Sequence, residues 1–394
     1  MRWIVIILVF AALFGSVHFY AYLKVKSALD MGKGASLTLA LFMGLMVFSP
    51  VIVRILERMG MEIVPKLLAW LGYTWMGFLF LFFCTSVLLD LWRLIDGVGH
   101  GFFQYDHGWW TLSPKGSFFL ALAVSIPVGL YAHYEAAAIR TERVTIQSPK
   151  IPAHLDRLRI VQVSDIHLGL MVRERRLKRI LGKVMSANPD ILVSTGDLLD
   201  GQVDDISNMI DMFGRVPARY GKFAVLGNHE YYAGVERSIA FTEKAGFKVL
   251  RDKTVVIPGM ICIAGADDPA RRQFGLKGEV VSEEDLLSRV PGGCFTVLLK
   301  HRPSVNQASI GLFDLQLSGH THKGQIFPFS LIVKLFYPID AGFIPLSNGS
   351  FLYVSRGAGT WGPMMRFLAP PEVSVIDLVH GEGERAVGER YMEK

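Results

Sequence analysis

Residues 315–322 read LQLSGHTH, a short alternating run that ends in a glycine and two histidines two residues apart. Alternation of apolar and polar side chains predicts a strand, and Gly319 predicts a turn where that strand ends. Neutral imidazole is the commonest metal ligand among protein side chains. A His-x-His pair on a loop is also common as ordinary polar surface, so a metal site needs support from elsewhere in the chain.

Four polar clusters upstream supply this support, because each follows an apolar, β-branched run. They are Asp165-Ile166-His167, Gly196-Asp197, Gly227-Asn228-His229-Glu230 and His301. Strand-like runs alternate with helical patterns between residues 158 and 245, which predicts an α/β sheet. Ligands bind at the carboxyl ends of the strands in such sheets, so we expect the clusters to meet at one rim.

The candidate ligands are two carboxylates, one amide and four histidines, with His229 left over. They are Asp165, Asp197, Asn228, His167, His301, His320 and His322. This set is too large for one tetrahedral zinc ion and suits two divalent ions bridged by a carboxylate. Mixed nitrogen and oxygen ligands without a thiolate favour Mn, Fe or Zn. Two adjacent ions neutralise charge on a phosphoryl oxygen, so the predicted chemistry is phosphate-ester cleavage.

The first third of the chain is apolar enough to lie in a membrane. It contains four long apolar runs, at residues 3–20, 37–53, 67–89 and 117–134. Each is near the ~20 residues that a helix needs to cross a bilayer. We therefore predict a four-span transmembrane anchor at residues 1–143, a linker at 144–156 and a catalytic domain at 157–394.

The four predicted spans make this an integral, multi-pass protein of an inner or plasma membrane, with the lipid bilayer as a partner. Six Lys or Arg residues flank the spans on the side of the N-terminus, namely Arg2, Arg54, Arg58, Lys66, Arg140 and Arg143. Five lie on the other side, namely Lys24, Lys26, Lys33, Arg93 and Lys115. The positive-inside rule thus narrowly favours a cytoplasmic catalytic domain.

Two further features of composition bear on partners and on cysteine chemistry. The formal net charge of +6 is not concentrated in a basic tract, so nothing indicates nucleic acid as a partner. Cys84, Cys262 and Cys294 are widely spaced and fit no CxxC pattern, so we expect all three to be unpaired.

The order Asp-x-His, Gly-Asp, Gly-Asn-His-Glu, His, Gly-His-x-His resembles the calcineurin-like metallophosphoesterase family from about Leu158 onward. Residues 164–169 (SDIHLG), 300–303 (KHRP) and 359–363 (GTWGP) are similar to its bacterial membrane-associated branch. That branch includes transmembrane proteins with a metallophosphoesterase domain and enzymes that cleave a UDP-linked diacylglucosamine. The resemblance implies an α/β sandwich behind the four spans.

The resemblance also implies a role for each candidate residue. Asp165, His167 and His322 would bind one metal, Asn228, His301 and His320 would bind the second, and Asp197 would bridge them. His229 would protonate the leaving oxygen or steady the phosphoryl group, unless it is only a structural histidine beside the ligands. Glu230 would either orient a neighbouring ligand or be solvated.

These observations favour a membrane-anchored, metal-dependent phosphoric ester hydrolase that acts on phosphodiester or pyrophosphate bonds. A lipid-linked substrate, such as a UDP-diacylglucosamine type, would lie in the same plane as the anchor; soluble nucleotides and phosphoproteins are the alternatives. A non-catalytic sensor would be expected to have lost ligands, and a transporter would need buried polar groups in its spans.

Three segments have two interpretations each. The apolar residues 325–351 form either a loop over the core, or a flap that dips into the membrane or a groove for acyl chains. Residues 356–363, with Arg366 after them, either present a guanidinium to phosphate or form a structural turn. Lys323 either alters the entrance of the site or is solvated.

Overall fold

The computed structural model describes residues 2–103, 112–201, 207–274, 281–383 and 385–389. The chain forms two compact units. One contains Met1–Tyr134 together with Gly362–Phe367, and the other contains Glu135–Trp361 and Leu368–Lys394. We call them the helical unit and the sandwich unit.

The helical unit is built on four long helices, each of which contains one of the four predicted spans. They are α1 (Arg2–Ala28), α2 (Lys33–Arg58), α3 (Ile63–Phe103) and α4 (Pro114–Ala137). All four are long and apolar enough to cross a membrane.

Small residues bring these helices into close contact. A Cβ atom on Gly72 of α3 would lie 2.3 Å from the Ser49 hydroxyl of α2. A Cβ on Gly129 of α4 would lie 2.2 Å from the ring of Phe78 on α3. Such contacts are the usual means of helix packing in lipid, where apolar surface alone gives no net attraction.

The short segment Gly362–Phe367 also belongs to the helical unit, although it comes from the C-terminal part of the sequence. The Arg366 amide donates to the Ala132 carbonyl over 2.8 Å, and the Met365 sulfur lies beside Gly77. Sequence patterning predicted only one crossing between the two parts of the chain, at residues 144–156.

The sandwich unit carries seven more helices and fifteen strands in the described residues. The helices are α5 (Glu174–Ala187), α6 (Ser207–Gly214), α7 (Asn228–Ala233), α8 (Val235–Lys244), α9 (Ala270–Gln273), α10 (Glu283–Leu287) and α11 (Phe329–Phe336). The strands are β1 (Arg140–Ser148), β2 (Leu158–Val163), β3 (Leu168–Gly169), β4 (Ile191–Ser194), β5 (Leu199–Asp200), β6 (Lys222–Ala224), β7 (Lys248–Val249), β8 (Lys253–Ile257), β9 (Ile261–Gly265), β10 (Phe295–Leu299), β11 (Leu315–Ser318), β12 (Gly342–Pro345), β13 (Phe351–Val354), β14 (Glu372–His380) and β15 (Arg385–Glu389).

Two large sheets face each other, with strand orders β15-β1-β14-β2-β4-β6-β7 and β12-β13-β11-β10-β9-β8. Strands β2, β4, β6 and β7 are parallel, and so are β9, β10, β11 and β13. The predicted α/β sandwich behind four apolar helices is therefore confirmed.

Alternation along the strands explains the layers. In β2, Leu158 and Ile160 enter the core between the sheets, whereas Val161 and Val163 pack with α5 residues on the other face. A strand that is buried on both faces is apolar throughout, as this one nearly is. There are two exceptions. Arg159 donates to the Asp377 carboxylate, and Gln162 donates to the Thr195 hydroxyl and to the Ser318 carbonyl of the second sheet, over 2.9 Å each.

The predicted linker begins inside strand β1. Val144 and Ile146 point into the core between the sheets, and β1 pairs in parallel with β14. The sandwich unit therefore starts near Glu135, before the predicted boundaries at 144 and 157, because the alternation in residues 140–148 is that of a strand.

The expectation of three unpaired cysteines is wrong. Cys262 on β9 and Cys294, just before the neighbouring strand β10, form a disulfide with a Cα–Cα distance of 6.0 Å. Their 32-residue separation in sequence hides this contact, which depends on the parallel pairing of β9 and β10. Cys84 is free.

Candidate metal centre

The predicted ligands lie at the carboxyl ends of strands in both sheets. Asp165 and His167 follow β2, Asp197 follows β4, and Asn228 begins α7 after β6. From the second sheet, His301 follows β10, and His320 and His322 follow β11. Hydrogen bonds join the loops, because the Asp165 amide donates to the Gly196 carbonyl and the Gly319 amide to the His301 carbonyl.

One set of ligand atoms contains Asp165, His167 and His322, which lie within 4.8 Å of one another. The Nε2 atoms of His167 and His322 are 3.0 Å apart, and His322 Nε2 is 3.5 Å from Asp165 Oδ1. The Asp165 carboxylate accepts hydrogen bonds from the Ser164 hydroxyl and from the His320 amide. These donors fix the direction in which its oxygens point.

The second set contains Asp197, His301 and His320. His301 Nε2 lies 3.2 Å from Asp197 Oδ2 and 3.1 Å from His320 Nδ1. His301 Nδ1 lies 2.8 Å from the Thr195 carbonyl, which can only accept, so Nε2 is the nitrogen that faces the site. Asp197 Oδ2 is also 3.9 Å from His167 Nε2, so this carboxylate lies between the two sets.

The donor set fits divalent ions. Ligands about 2.0–2.2 Å from one ion lie roughly 3 Å or slightly more from each other, which matches the spacing within both sets. In addition, Asn228 Oδ1 is buried and has no hydrogen-bond partner within the described parts of the chain. A buried amide oxygen without a partner is costly, and an ion would satisfy it.

Burial and charge act in opposite directions on Asp197. Burial alone would raise the pKa of this carboxyl, but the nearby imidazoles of His301 and His229 hold it well below its usual range. The ionised form of Asp197 is therefore favoured.

His229 lies beside both sets of ligands. Its amide donates to Asp197 Oδ1 over 2.9 Å, and its Nδ1 lies 3.0 Å from Asp200 Oδ1. Its ring centroid is 4.6 Å from that of His167 and 5.8 Å from that of Trp361. Burial lowers the pKa of His229, but the charges of Asp197 and Asp200 and the hydrogen bond to Asp200 outweigh it and raise the pKa to about 9.

Glu230 is buried and orients its neighbours, which settles the two interpretations of this residue. Its carboxylate accepts hydrogen bonds from the amides of Asp197, Leu199 and Gly227 over 2.7 to 3.0 Å. Burial, followed by the charge of Asp197, raises the pKa of Glu230 to about 7.

The glycines before Asp197 and Asn228 allow two loops to touch. Gly196 has a φ of +95°, and a Cβ there would lie 2.7 Å from His301 Nδ1. A Cβ on Gly227 would lie 2.2 Å from Asp197 Oδ1. Any side chain at either position would displace a ligand.

The loop at residues 356–361 does not present Arg356 to the metal centre. That guanidinium pairs with Glu142 and Glu372 and donates to the Pro370 carbonyl. Arg366 is fully buried and belongs to the helical unit. The loop acts instead through its backbone, since the amides of Ala358 and Gly359 donate to the carbonyls of Ser164 and Asp165.

Three residues at the site had no sequence signal as functional groups. Asp200 comes three positions after Asp197, in an otherwise apolar turn. The rings of Tyr232 and Trp361 lie 5.3 and 5.8 Å from that of His229, and both are about half exposed. Only the fold, which brings these three around His229, identifies them.

Residues 158–324 match a family model described as calcineurin-like phosphoesterase. The transmembrane protein with metallophosphoesterase domain of Danio rerio is 33% identical, over 66% of this chain and 62% of its own length. The chain therefore spans about three fifths of the fish protein. A solved structure, the 5'-nucleotidase precursor of Thermus thermophilus, aligns at 19% identity with a TM-score of 0.38, over 59% of this chain and 54% of its own.

An uncharacterized metallophosphoesterase of Aquifex aeolicus is 39% identical over 261 residues. The alignment covers 66% of this chain and 99% of the Aquifex protein. With almost the whole of that relative covered at this identity, the chain belongs to the calcineurin-like metallophosphoesterase family.

Proposed function

We propose that the protein is a membrane-anchored phosphoesterase that uses two divalent ions to hydrolyse a phosphodiester or pyrophosphate bond. The position of Asp197 between two sets of ligands, with His229 beside both, carries this proposal. A second, non-catalytic function has no support, because none of the seven candidate ligands is missing or displaced.

The chain's own residues have separate tasks in this reaction. Asp165, Asp197, Asn228 and the four candidate histidines would hold two divalent ions. When bound, such ions would activate a water and neutralise charge on the phosphoryl oxygens. The carboxylate of Asp200, whose Oδ1 lies 3.0 Å from His229 Nδ1, favours a protonated imidazole. Its Nδ1–H is then held by Asp200, and its Nε2–H can donate to the leaving oxygen.

A lipid-linked substrate is the preferred class. If α1 to α4 cross a bilayer, the sandwich unit is tethered to the membrane, and a substrate in that membrane is always within reach. Soluble nucleotides and phosphoproteins are the alternatives, and the anchor gives no advantage with them. We propose the inner or plasma membrane as the location.

The first test uses the full-length protein in detergent, loaded in turn with Mn²⁺, Fe²⁺ and Zn²⁺. Bis-p-nitrophenyl phosphate and a UDP-diacylglucosamine-type lipid are assayed side by side. Asp197→Asn should lose bound metal and all measurable turnover. His229→Gln should keep its metal and lose about 10²- to 10⁴-fold in kcat on the lipid substrate, the usual contribution of a general acid. Asp211→Asn, at an exposed position of α6, is the matched control.

The outcomes separate the parts of the proposal. Cleavage of both substrates supports it in full, and cleavage of the small diester alone removes the lipid assignment. If no metal is retained and neither substrate is cleaved, the protein is not a phosphoesterase, and a sensor function replaces the proposal.

A further inference from the structure

Helix α11 carries the largest group of exposed apolar side chains in the sandwich unit. Leu331, Ile332, Leu335 and Phe336 are 58%, 47%, 80% and 75% exposed. Residues i, i+1, i+4 and i+5 share one side of a helix, so these four form a continuous strip, which we call the apolar ridge. Six of the thirteen exposed large hydrophobic residues described after Glu135 lie between Phe327 and Phe336.

Burial within the protein does not explain why α11 is so apolar. The sequence FSLIVKLF is hydrophobic on almost every side, yet no residue within Phe329–Phe336 is buried. A helix that is apolar all round is normally enclosed by protein or by lipid. Contiguous exposed apolar surface of this kind marks a surface that contacts a partner.

The apolar ridge is attached at both ends to the loop that carries His320 and His322. At its start, a Cβ on Gly324 would lie 2.4 Å from the Ser330 backbone, so the ligand loop and the first turn are in direct contact. After its end, the Tyr337 ring lies 5.3 Å from the His320 ring. The Thr321 hydroxyl also donates to the Asp340 carbonyl over 2.5 Å.

We propose that the apolar ridge docks into the surface of a lipid bilayer and holds the metal centre at the level of the phosphate headgroups. Interfacial helices place Phe and Leu about 5–10 Å into the boundary of the acyl chains and keep lysines at the polar side. The exposed Lys334 lies on α11 next to the ridge, and Tyr337 follows it, which is the composition of such a helix.

This inference rests on the proposed function for its substrate, but docking itself does not require catalysis. A phosphate ester whose lipid part stays in the bilayer would reach the ligand loop without leaving the membrane. A soluble substrate would gain nothing from the ridge. The ridge therefore favours hydrolysis of phosphate esters embedded in the bilayer.

The physical test measures the depth of the ridge in a membrane. The full chain carries Cys84→Ser and Leu335→Cys, and the new cysteine is labelled with bimane. The labelled protein is placed in nanodiscs of phosphatidylcholine and phosphatidylglycerol. One set of nanodiscs contains lipids with a doxyl quencher near the headgroup, and the other does not. Docking should reduce the fluorescence at least about twofold when the quencher is present. Val256→Cys, on β8 and 48% exposed, is the matched control and should not respond.

The functional test compares two probes with the same leaving group. A diacylglycerol p-nitrophenyl phosphate in the nanodisc and soluble bis-p-nitrophenyl phosphate are assayed with the variant Leu335→Glu/Phe336→Glu. Turnover of the lipid probe should fall by about tenfold or more, because carboxylates oppose insertion. Turnover of the soluble probe should stay within about twofold, which also shows that the variant is folded. Val256→Glu should change neither rate.

The results distinguish failure of docking from failure of the proposed function. An unquenched label at position 335 overturns docking, and so does equal quenching at 335 and 256. Formation of a Leu335→Cys disulfide dimer between copies would assign the ridge to self-association instead. A quenched label in a protein that cleaves neither probe would support docking and overturn the proposed function.

Discussion

Five of the metal-site residues have left-handed backbone, which is uncommon for residues other than glycine. They are Asp165, His167, Asp197, His320 and His322, with φ between 50° and 74°. Each such residue costs about 1–3 kcal/mol, so the surrounding structure must impose it. The amides of Asp165 and His167 donate to carbonyls of the loop after β4, which supplies part of that constraint. The ligand positions are thus fixed by the backbone before any ion binds.

Glu230 should matter for metal affinity although it is not a ligand. In Glu230→Gln, one of the two acceptor oxygens becomes an amide donor, so the amides of Asp197, Leu199 and Gly227 cannot all be satisfied. We expect metal affinity to fall about 10- to 100-fold, the usual effect of losing a group that orients ligands. Metal content after dialysis measures this effect. Glu243→Gln, on an exposed face of α8, should leave the affinity unchanged.

Asp200 should affect the leaving group rather than the metals. Asp200→Asn removes the negative charge at His229 Nδ1, so the pKa of His229 should fall and its protonated fraction with it. A dialkyl phosphate diester, whose alkoxide must be protonated, should lose more of its kcat than bis-p-nitrophenyl phosphate does. Equal losses on the two substrates, or loss of bound metal, would show that Asp200 is not acting through His229.

The contact between α2 and α3 depends on one missing side chain. Gly72→Val would place a Cβ atom 2.3 Å from the Ser49 hydroxyl oxygen and 2.9 Å from the Ser49 Cβ, so the helices would have to separate. Overpacking of this kind costs about 1–3 kcal/mol, so the monodisperse yield in detergent and the melting temperature should both fall. Gly97→Val lies on the same helix with nothing within 4 Å and controls for the change in helix propensity. Similar losses in both variants would contradict the packing argument.

Helices and strands with a strong hydrophobic periodicity could be predicted from the sequence. Elements that depend on contacts between distant parts of the chain could not. Strand β11 (Leu315–Ser318) lies where the alternating run of residues 315–322 predicts a strand, and it ends just before the turn predicted at Gly319. Helix α11 was missed because eight mostly apolar residues between two prolines read equally well as a buried loop. Strand β1 was missed because its polar threonine and glutamine positions resemble a linker.

The clustering of the candidate ligands could be predicted for a different reason, since each candidate follows a strand that has a clear pattern. The roles of Asp200 and Trp361 could not be predicted. They depend on the short distances from these residues to His229, and no local sequence pattern encodes those distances. The positive φ angles at the ligands likewise follow from hydrogen bonds between loops that are far apart in sequence.

The two units cannot be separated by one cut in the chain. A fragment of residues 144–394 would lack the first part of β1 and would leave Met365 and Arg366 without Gly77 and Ala132. We expect this fragment to aggregate or to melt at least several degrees below the full chain, whereas one of residues 135–394 should keep β1 and be more stable. Size-exclusion chromatography and thermal melts would test this order of stability between the two fragments. A stable, metal-loaded 144–394 fragment would contradict it.

The bond between Cys262 and Cys294 has a consequence for the side of the membrane. Disulfides persist in the bacterial envelope and outside the cell, whereas the cytosol keeps thiols reduced. The bond therefore predicts that the sandwich unit faces outward, against the narrow count of basic residues. Alkaline phosphatase fused at the C-terminus should then be active, and green fluorescent protein fused there should not fluoresce. The reverse pattern would show a cytoplasmic domain with reduced thiols. Facing outward, the metal centre would draw its ions from the envelope and meet lipid phosphates of the outer leaflet, beyond the reach of cytosolic nucleotides.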